Sequence, residues 1–250
     1  MGEIVFGGHS TVLIELEGTR IVADPLLRPR LYGLMRRHHG LSPDEVGSVD
    51  AVLISHLHHD HLDLPSLRSL GRSTPIVTPV GGAEFLLRRG YSRVTELAPG
   101  EGTPIGALTV RAVEAAHEGG RLFGRGPGGA VGYVVEGGAR IYFAGDTERF
   151  DRMADLSGVD VALLPIWGWG PTLGPGHMDP DEAARAAAAL RPRLVVPIHW
   201  GTFLPLWSRG RGGDRLRDPA RVFAARMAEL APGVAFRVLA PRESVMLATA

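Results

Sequence analysis

Short apolar segments recur along this chain, and several of them lead directly into a histidine or an aspartate. Each has the length of a buried β-strand. Side chains that follow the strands of packed sheets converge on one edge, which is where sites are built. The segments are "AVLIS" before His56, "VRAVEAA" before His117, "IYFAG" before Asp146 and "VVPI" before His199. The chain is therefore expected to form packed sheets with a polar site along one edge.

The remaining pattern places helices outside these sheets. One helix is predicted at "DLPSLRSL", with Asp63 or a neighbour near its N-cap and Pro65 in its first turn. Another is predicted from Asp179, with Pro180 at its first position and Glu182 completing a capping box. A last helix is predicted over 219–230. The order of strands then helix, twice over, predicts two mixed sheets with helices outside in one domain, 1–250, without repeats or linkers.

The densest polar cluster is "SHLHHDH", residues 55–61. One histidine at a strand end is more often a hydrogen-bonded structural residue than a ligand. A cluster of this density would instead charge and repel as the pH fell, so we expect it to bind metal. Two sites are predicted, one formed by His56, His58 and His117, the other by Asp60, His61 and His199, with Asp146 able to bridge both. His59 is expected to face away, and His38 and His39 to lie on the surface.

We therefore expect two divalent metal ions as cofactors. Zn²⁺ is the first choice for such nitrogen-rich sites, and Mn²⁺, Fe or Ni²⁺ are the alternatives. The chain has no cysteine, which excludes thiolate ligands and thiol nucleophiles. Two adjacent cations lower the pKa of a shared water toward neutrality, which supplies a hydrolytic nucleophile.

Composition limits the classes of partner that this chain is expected to bind. The 27 basic and 27 acidic residues balance, so bulk charge predicts no nucleic-acid binding. The start "MGEIVFGG" is not a signal peptide, and no apolar run reaches the ~20 residues of a transmembrane helix. We expect a cytoplasmic protein with a small-molecule substrate. Self-association into a homo-oligomer is left open.

The motifs "SHLHHDH", "GDT" and "IHWG" resemble the signature of the metallo-β-lactamase superfamily. Further stretches, "GHSTVLIE", "ADPLL", "HMDPDEA" and "PIHWGTF", extend the resemblance from about residue 7 to 204. They are most similar to the branch of N-acylphosphatidylethanolamine-hydrolysing phospholipase D and the ascorbate-6-phosphate lactonase-like proteins. The resemblance implies a four-layer αββα sandwich of the α+β class and a metal-dependent hydrolase.

The resemblance also implies roles for individual residues. It gives the same ligand set, a supporting role for Asp24 on the metal loop, and a place near the site for His9, where support is favoured over ligation. His177 resembles the substrate-side histidine of the branch, and its alternative is a helix-entry residue bonded to backbone. The implied catalytic residues are Asp60 and Asp146, which orient the nucleophile, and His177.

The substrate is predicted less sharply. The branch points first to a phosphodiester, with a lactone or other carboxylic ester as the alternative. A metal-stabilised binding protein without turnover is the other hypothesis. An anionic substrate could be held by rim arginines, or these could be plain surface charge; they are Arg28, Arg30, Arg36 and Arg37. Trp167 and Trp169 are substrate contacts or core residues.

Overall fold

The fold is described from a computed structural model that covers residues 2–36, 38–119, 129–168, 173–206 and 213–247. Within these ranges, no helix is both long enough and apolar enough to cross a membrane.

The first sheet has seven strands, six from the first 97 residues and one, β17, from near the C-terminal end of the described residues. Its order is β17-β1-β2-β3-β6-β7-β8. The strands are β1 (Gly2–Gly8), β2 (Thr11–Leu16), β3 (Thr19–Ala23), β6 (Ala51–Leu53), β7 (Ile76–Pro79), β8 (Val94–Leu97) and β17 (Ser244–Leu247). A small separate sheet, in the order β15-β5-β4, is formed by β4 (Arg30–Leu31), β5 (Leu34–Arg36) and β15 (Phe203–Pro205).

The second large sheet also has seven strands, in the order β16-β14-β13-β12-β11-β10-β9. Its strands are β9 (Gly102–Ile105), β10 (Leu108–Glu114), β11 (Val131–Glu136), β12 (Arg140–Phe143), β13 (Val161–Pro165), β14 (Leu194–Ile198) and β16 (Ala235–Phe236). The strands β11 and β12 pair antiparallel as a hairpin on either side of Gly137 and Gly138.

Three apolar clusters define the layers of the fold. The central cluster lies between the two sheets and includes Ile14 and Tyr133. A second cluster joins the outer face of the second sheet to α4 (Pro180–Leu190) and α5 (Gly213–Leu230). The third packs the first sheet against α1 (Pro43–Val46), α2 (Leu64–Leu70) and α3 (Gly82–Leu87). The predicted αββα sandwich is therefore confirmed.

Strand direction puts the ends of several strands at one edge. In the first sheet β1, β3 and β6 run the same way, because β2 is antiparallel to both of its neighbours and β6 is parallel to β3. In the second sheet β10, β12, β13 and β14 share one direction for the same reason. Residues that follow these strands are thus delivered to shared edges.

The helix starts agree with the sequence prediction in part. Asp63 and Asp179 are the N-caps of α2 and α4, as predicted. The capping box predicted at α4 is only half formed: Asp179 accepts from the Glu182 backbone, but the Glu182 side chain bonds Arg149 at 3.1 Å. The last helix begins at Gly213, not at 219, with Pro219 inside it.

Candidate metal centre

The predicted ligands all follow strands that end at the shared edges. His56 to His61 form the loop after β6, and His117 follows β10. Asp146 comes after β12, and His199 directly follows β14. The fold therefore brings ligating side chains of both sheets together.

The first predicted site has three imidazoles in direct contact. His56 Nε2 lies 2.9 Å from His58 Nδ1, and His58 Nδ1 lies 3.2 Å from His117 Nε2. These nitrogen atoms form one group whose members could all reach a single cation. His58 thus turns its Nδ1 toward the other two rings, whereas His56 and His117 turn their Nε2 atoms toward it.

The second predicted site is more deeply buried. His61 Nε2 and His199 Nε2 are 3.2 Å apart, and Asp60 Oδ2 lies 3.7 Å from the first and 3.8 Å from the second. Asp146 Oδ2 lies 3.1 Å from His61 Nε2 and 3.9 Å from His56 Nε2. Asp146 therefore touches a histidine of each predicted site.

The outward nitrogens of these histidines bind protein oxygens. His61 Nδ1 donates to Asp24 Oδ2 at 2.7 Å, and His117 Nδ1 donates to the Gly176 carbonyl at 2.7 Å. His199 Nδ1 donates to the Trp167 carbonyl at 2.5 Å. Such contacts fix the ring orientation and leave the opposite nitrogen free to ligate.

The charges of the site follow from burial and close packing. Burial and the nearby His61 lower the pKa of His56 far below its usual range, and burial also lowers the pKa of His117 to about 4. Burial acts against the protonated form of His61 as well, but Asp146, Asp60 and Asp24 outweigh it and raise its pKa. Burial opposes the charge of Asp60 and Asp146 too, yet the histidines keep both carboxyl pKa values low.

The donor set fits divalent metal. In a tetrahedral Zn²⁺ site, bonds of about 2.0–2.1 Å separate nitrogen ligands by roughly 3.3 Å. The 3.2 Å separations of His58 from His117 and of His61 from His199 match that spacing. Asp146 Oδ1 is buried without a hydrogen-bond partner among the described residues, although His199 Nε2 is 3.3 Å away. The neutral imidazoles of His56 and His117 and the unpartnered oxygen of Asp146 are groups that a cation would satisfy.

His177 lies at the rim of this centre in the loop before α4. Its Nε2 is 3.3 Å from Asp146 Oδ2, its Nδ1 donates to the Pro175 carbonyl at 2.9 Å, and 21% of its side chain is exposed. Burial lowers its pKa, but the hydrogen bond and the charge of Asp146 raise it by more. His177 thus makes both predicted contacts. It bonds to backbone as a helix-entry residue would, and it also faces Asp146 at the centre as a substrate-side histidine would.

The supporting residues implied by the resemblance also contact the centre. Asp24 Oδ1 accepts from the Ser55 backbone N–H at 2.8 Å, which ties the metal loop to the end of β3. His9 Nε2 lies 2.9 Å from Asp60 Oδ2, and burial lowers the pKa of His9 to about 3. His59 points away from the cluster and bonds Tyr32 Oη at 3.0 Å.

Two of the arginines suggested as anion ligands are engaged within the protein. Arg28 Nη2 lies 2.7 Å from Asp63 Oδ1. Arg36 donates to the carbonyls of Gly7, Arg28 and Leu26, and burial lowers its pKa to about 10. Arg30 is exposed on β4. Arg37 and Trp169 lie outside the described residues.

Some contacts of the site could not be found from sequence. Thr202 accepts the His9 backbone N–H at 2.6 Å across 193 residues of chain, and the Trp167 carbonyl orients His199 across 32. No sequence motif shows which backbone carbonyl or hydroxyl group will form such a contact. Only the "HWGTF" stretch, which places Thr202 three residues after His199, gave any signal.

Similarity to known proteins agrees with this geometry. A family model described as Beta-lactamase superfamily domain matches residues 19–200. A UPF0173 metal-dependent hydrolase of Opitutus terrae is 34% identical and aligns over 97% of this chain and 98% of its own length. A protein of Mycobacterium tuberculosis is also 34% identical over 78% of this chain, and here the chain spans only 58% of the relative.

Two more comparisons are with a curated relative and with a solved structure. An N-acyl-phosphatidylethanolamine-hydrolyzing phospholipase D 1 of Caenorhabditis elegans is 30% identical over 78% of this chain and 63% of its own length. The structure of Igni18, a metallo hydrolase from Ignicoccus hospitalis, has the same fold, with a TM-score of 0.72 at 24% identity, covering 98% of this chain and 97% of that one. The resemblance inferred from the motifs is confirmed, and the chain belongs to the metallo-β-lactamase superfamily.

Proposed function

We propose that this chain is a metal-dependent hydrolase that binds two divalent ions and cleaves a phosphodiester. The observation that carries the proposal is the convergence of buried histidine and aspartate side chains from both sheets. The residues that would hold the ions are His56, His58 and His117 for one, Asp60, His61 and His199 for the other, and Asp146 between them. A relative that aligns over 98% of its own length is named a metal-dependent hydrolase, which supports the proposal.

When bound, the ions supply Lewis acidity that activates a water and stabilises charge on the substrate. The protein contributes the groups around them. Asp60 and Asp146 are the carboxylates at the centre, and we assign them the orientation of the attacking water. Their histidine neighbours keep both ionised, so each can accept a hydrogen bond from that water.

His177 is assigned the proton transfer to the leaving group. Its Nδ1–H is held by the Pro175 carbonyl, which aims Nε2 toward Asp146 at the centre. Water adds to phosphorus and loses one proton to solvent, the bond from phosphorus to the leaving oxygen breaks, and His177 Nε2–H protonates that oxygen and is reprotonated from solvent. The partial exposure of His177 leaves it within reach of a substrate entering from solvent.

The choice of a phosphodiester rests on the similarity to the phospholipase D of C. elegans, whose name states that activity. The arginines do not strengthen the choice, because Arg28 and Arg36 are bound to protein groups. Lactone or carboxylic ester hydrolysis by the same centre is the alternative. It would use the same water, with a carbonyl carbon in place of phosphorus.

A substrate panel tests the proposal. We expect turnover of bis(p-nitrophenyl) phosphate or N-acylphosphatidylethanolamine, and none by Asp60→Ala, which serves as the blank. An acyl-homoserine lactone and a sugar-phosphate lactone complete the panel. Turnover of the lactones alone would reverse the order of the two substrates. No turnover of any of the four by protein shown to hold metal would favour a metal-stabilised binding protein.

A further inference from the structure

His9 occupies a conformation that its side chain does not favour. It lies between β1 and β2 with a φ of 57° and is 1% exposed. The left-handed region is unfavourable for a residue with a Cβ. Strain of this kind persists only where the surroundings hold the residue in place. The contacts of His9 therefore indicate what the conformation achieves.

The backbone of His9 is held by the segment that follows β14. Its N–H donates to Thr202 Oγ1 at 2.6 Å, and its carbonyl accepts the His199 N–H at 2.7 Å. His199 itself has a φ of 61°. The end of β1 and the end of β14 are thus locked to one another at the point where His199 enters the centre.

The side chain of His9 contacts both Asp60 and His199. Its Nε2 lies 2.9 Å from Asp60 Oδ2, and its ring centroid lies 4.0 Å from that of His199. Phe203 packs edge-on against the other side of the ring, at 5.5 Å between centroids. One residue therefore contacts Asp60 from the first sheet and His199 from the second.

His9 Nε2 could itself reach a cation, since it lies within one group with Asp60, His61 and His199. The geometry favours a donor. A carboxylate oxygen only accepts hydrogen bonds, so in the 2.9 Å contact with Asp60 Oδ2 it is His9 Nε2–H that donates. The bond fixes the Asp60 oxygen that also faces His61 and His199.

We propose that His9 is a positioning residue that holds Asp60 and His199 in register and so supports one of the two metal sites selectively. The site formed by His56, His58 and His117 has no contact with His9 among the hydrogen bonds of the described residues, and should bind its ion without it. The proposal rests on the two-ion function proposed above. It adds that the two halves of the centre depend on different parts of the chain.

The test compares metal binding by wild type, His9→Ala, His9→Gln and the surface control His39→Ala. Each protein is stripped, reconstituted with Co²⁺, and titrated against a competing chelator, with elemental analysis of the ions retained. Wild type and the control should hold two ions. His9→Ala should hold one tightly and bind the second 10- to 100-fold more weakly, as is typical when a partner of a ligand is lost. His9→Gln, which can donate from a similar position, should recover much of that loss.

The visible spectrum of bound Co²⁺ gives a second readout. His9→Ala should keep the bands of the ion that binds first and lose those of the second at matched Co²⁺ concentration. If His9→Ala does not fold, Thr202→Val, which removes the acceptor of the His9 N–H, carries the same expectation.

Several results would overturn the inference. Two ions bound by His9→Ala with unchanged affinity would do so, as would equal weakening of both ions. Loss of the second ion in His9→Gln as complete as in His9→Ala would make His9 a ligand. Failure of the wild type to bind two ions would instead count against the proposed function itself.

Discussion

Asp24 Oδ2 lies 2.7 Å from His61 Nδ1, and both side chains are fully buried. The same oxygen accepts from Ser55 Oγ at 2.6 Å, while the other oxygen accepts the Ser55 N–H. Asp24 follows β3 and His61 belongs to the loop after β6, so one carboxylate joins two neighbouring strand ends. His61 is left with only Nε2 to turn toward the centre.

We expect Asp24→Asn to weaken metal binding and to destabilise the fold. The amide presents one N–H₂ group where the carboxylate accepted from Ser55 or from His61, so one donor faces another. Loss of such a partner typically costs 10- to 100-fold in metal affinity and leaves a buried group unsatisfied at about 1–3 kcal/mol. Chelator competition and denaturant unfolding measure the two effects, with the exposed Asp155→Asn as control. Unchanged affinity in Asp24→Asn would contradict the supporting role.

Metal removal should lower the melting temperature. The predicted ligands come from strands of both sheets, so bound ions link them, and a ligand at 100 times its Kd stabilises the folded state by about 2.7 kcal/mol. Thermal unfolding with and without a chelator, followed by addition of Zn²⁺ or Mn²⁺, measures this. The loss should be reversed by the metal and should be absent in Asp146→Ala at the same metal concentration. If the melting temperature of metal-loaded protein is the same with and without the chelator, the result would count against a buried two-ion centre.

His177→Ala should keep both ions and lose turnover. A positioned acid or base contributes typically 10²- to 10⁴-fold, so kcat should fall within that range. Metal content by elemental analysis and steady-state kinetics on bis(p-nitrophenyl) phosphate measure the two effects, with exposed His38→Ala as control. Loss of an ion from His177→Ala would instead make its contact with Asp146 a structural or ligating one.

Two buried tyrosines should respond oppositely to the same substitution. Tyr133 Oη donates to the Ile54 carbonyl at 2.8 Å, which ties β11 to the start of the metal loop. Tyr142 is equally buried, but its hydroxyl has no hydrogen-bond partner among the described residues. Tyr133→Phe should therefore cost about 1–3 kcal/mol, because it leaves a buried carbonyl unpaired, whereas Tyr142→Phe should be neutral or stabilising. Urea unfolding of both variants checks this, and equal destabilisation would refute the assignment.

The layered fold could be predicted because strand and helix signals are local. The run "TVLIEL" is the strand Thr11–Leu16, and Asp63 and Asp179 cap helices, as their short polar side chains indicate. The start of α5 was predicted too late because Pro219 suits a first helical turn, yet this helix continues through it. The two-residue strand Arg30–Leu31 is too short to carry a periodic signal.

The residues of the site could be predicted from local sequence, but several of their contacts could not. Histidines and aspartates placed after apolar runs do lie together, because strand direction decides where those runs end; their role as ligands stays a prediction. The contact of His9 with Asp60 depends on a left-handed backbone and on Thr202, which local sequence does not reveal. Nor does an arginine-rich loop show that Arg36 is occupied by backbone carbonyls.

The number of ions bound per chain decides whether this protein has the proposed two-ion centre. Protein purified without chelator, and again after reconstitution with Zn²⁺ or Mn²⁺, is measured by elemental analysis against protein concentration. We expect the wild type to hold two equivalents of divalent transition metal. Less than one equivalent, unchanged by reconstitution, would contradict it.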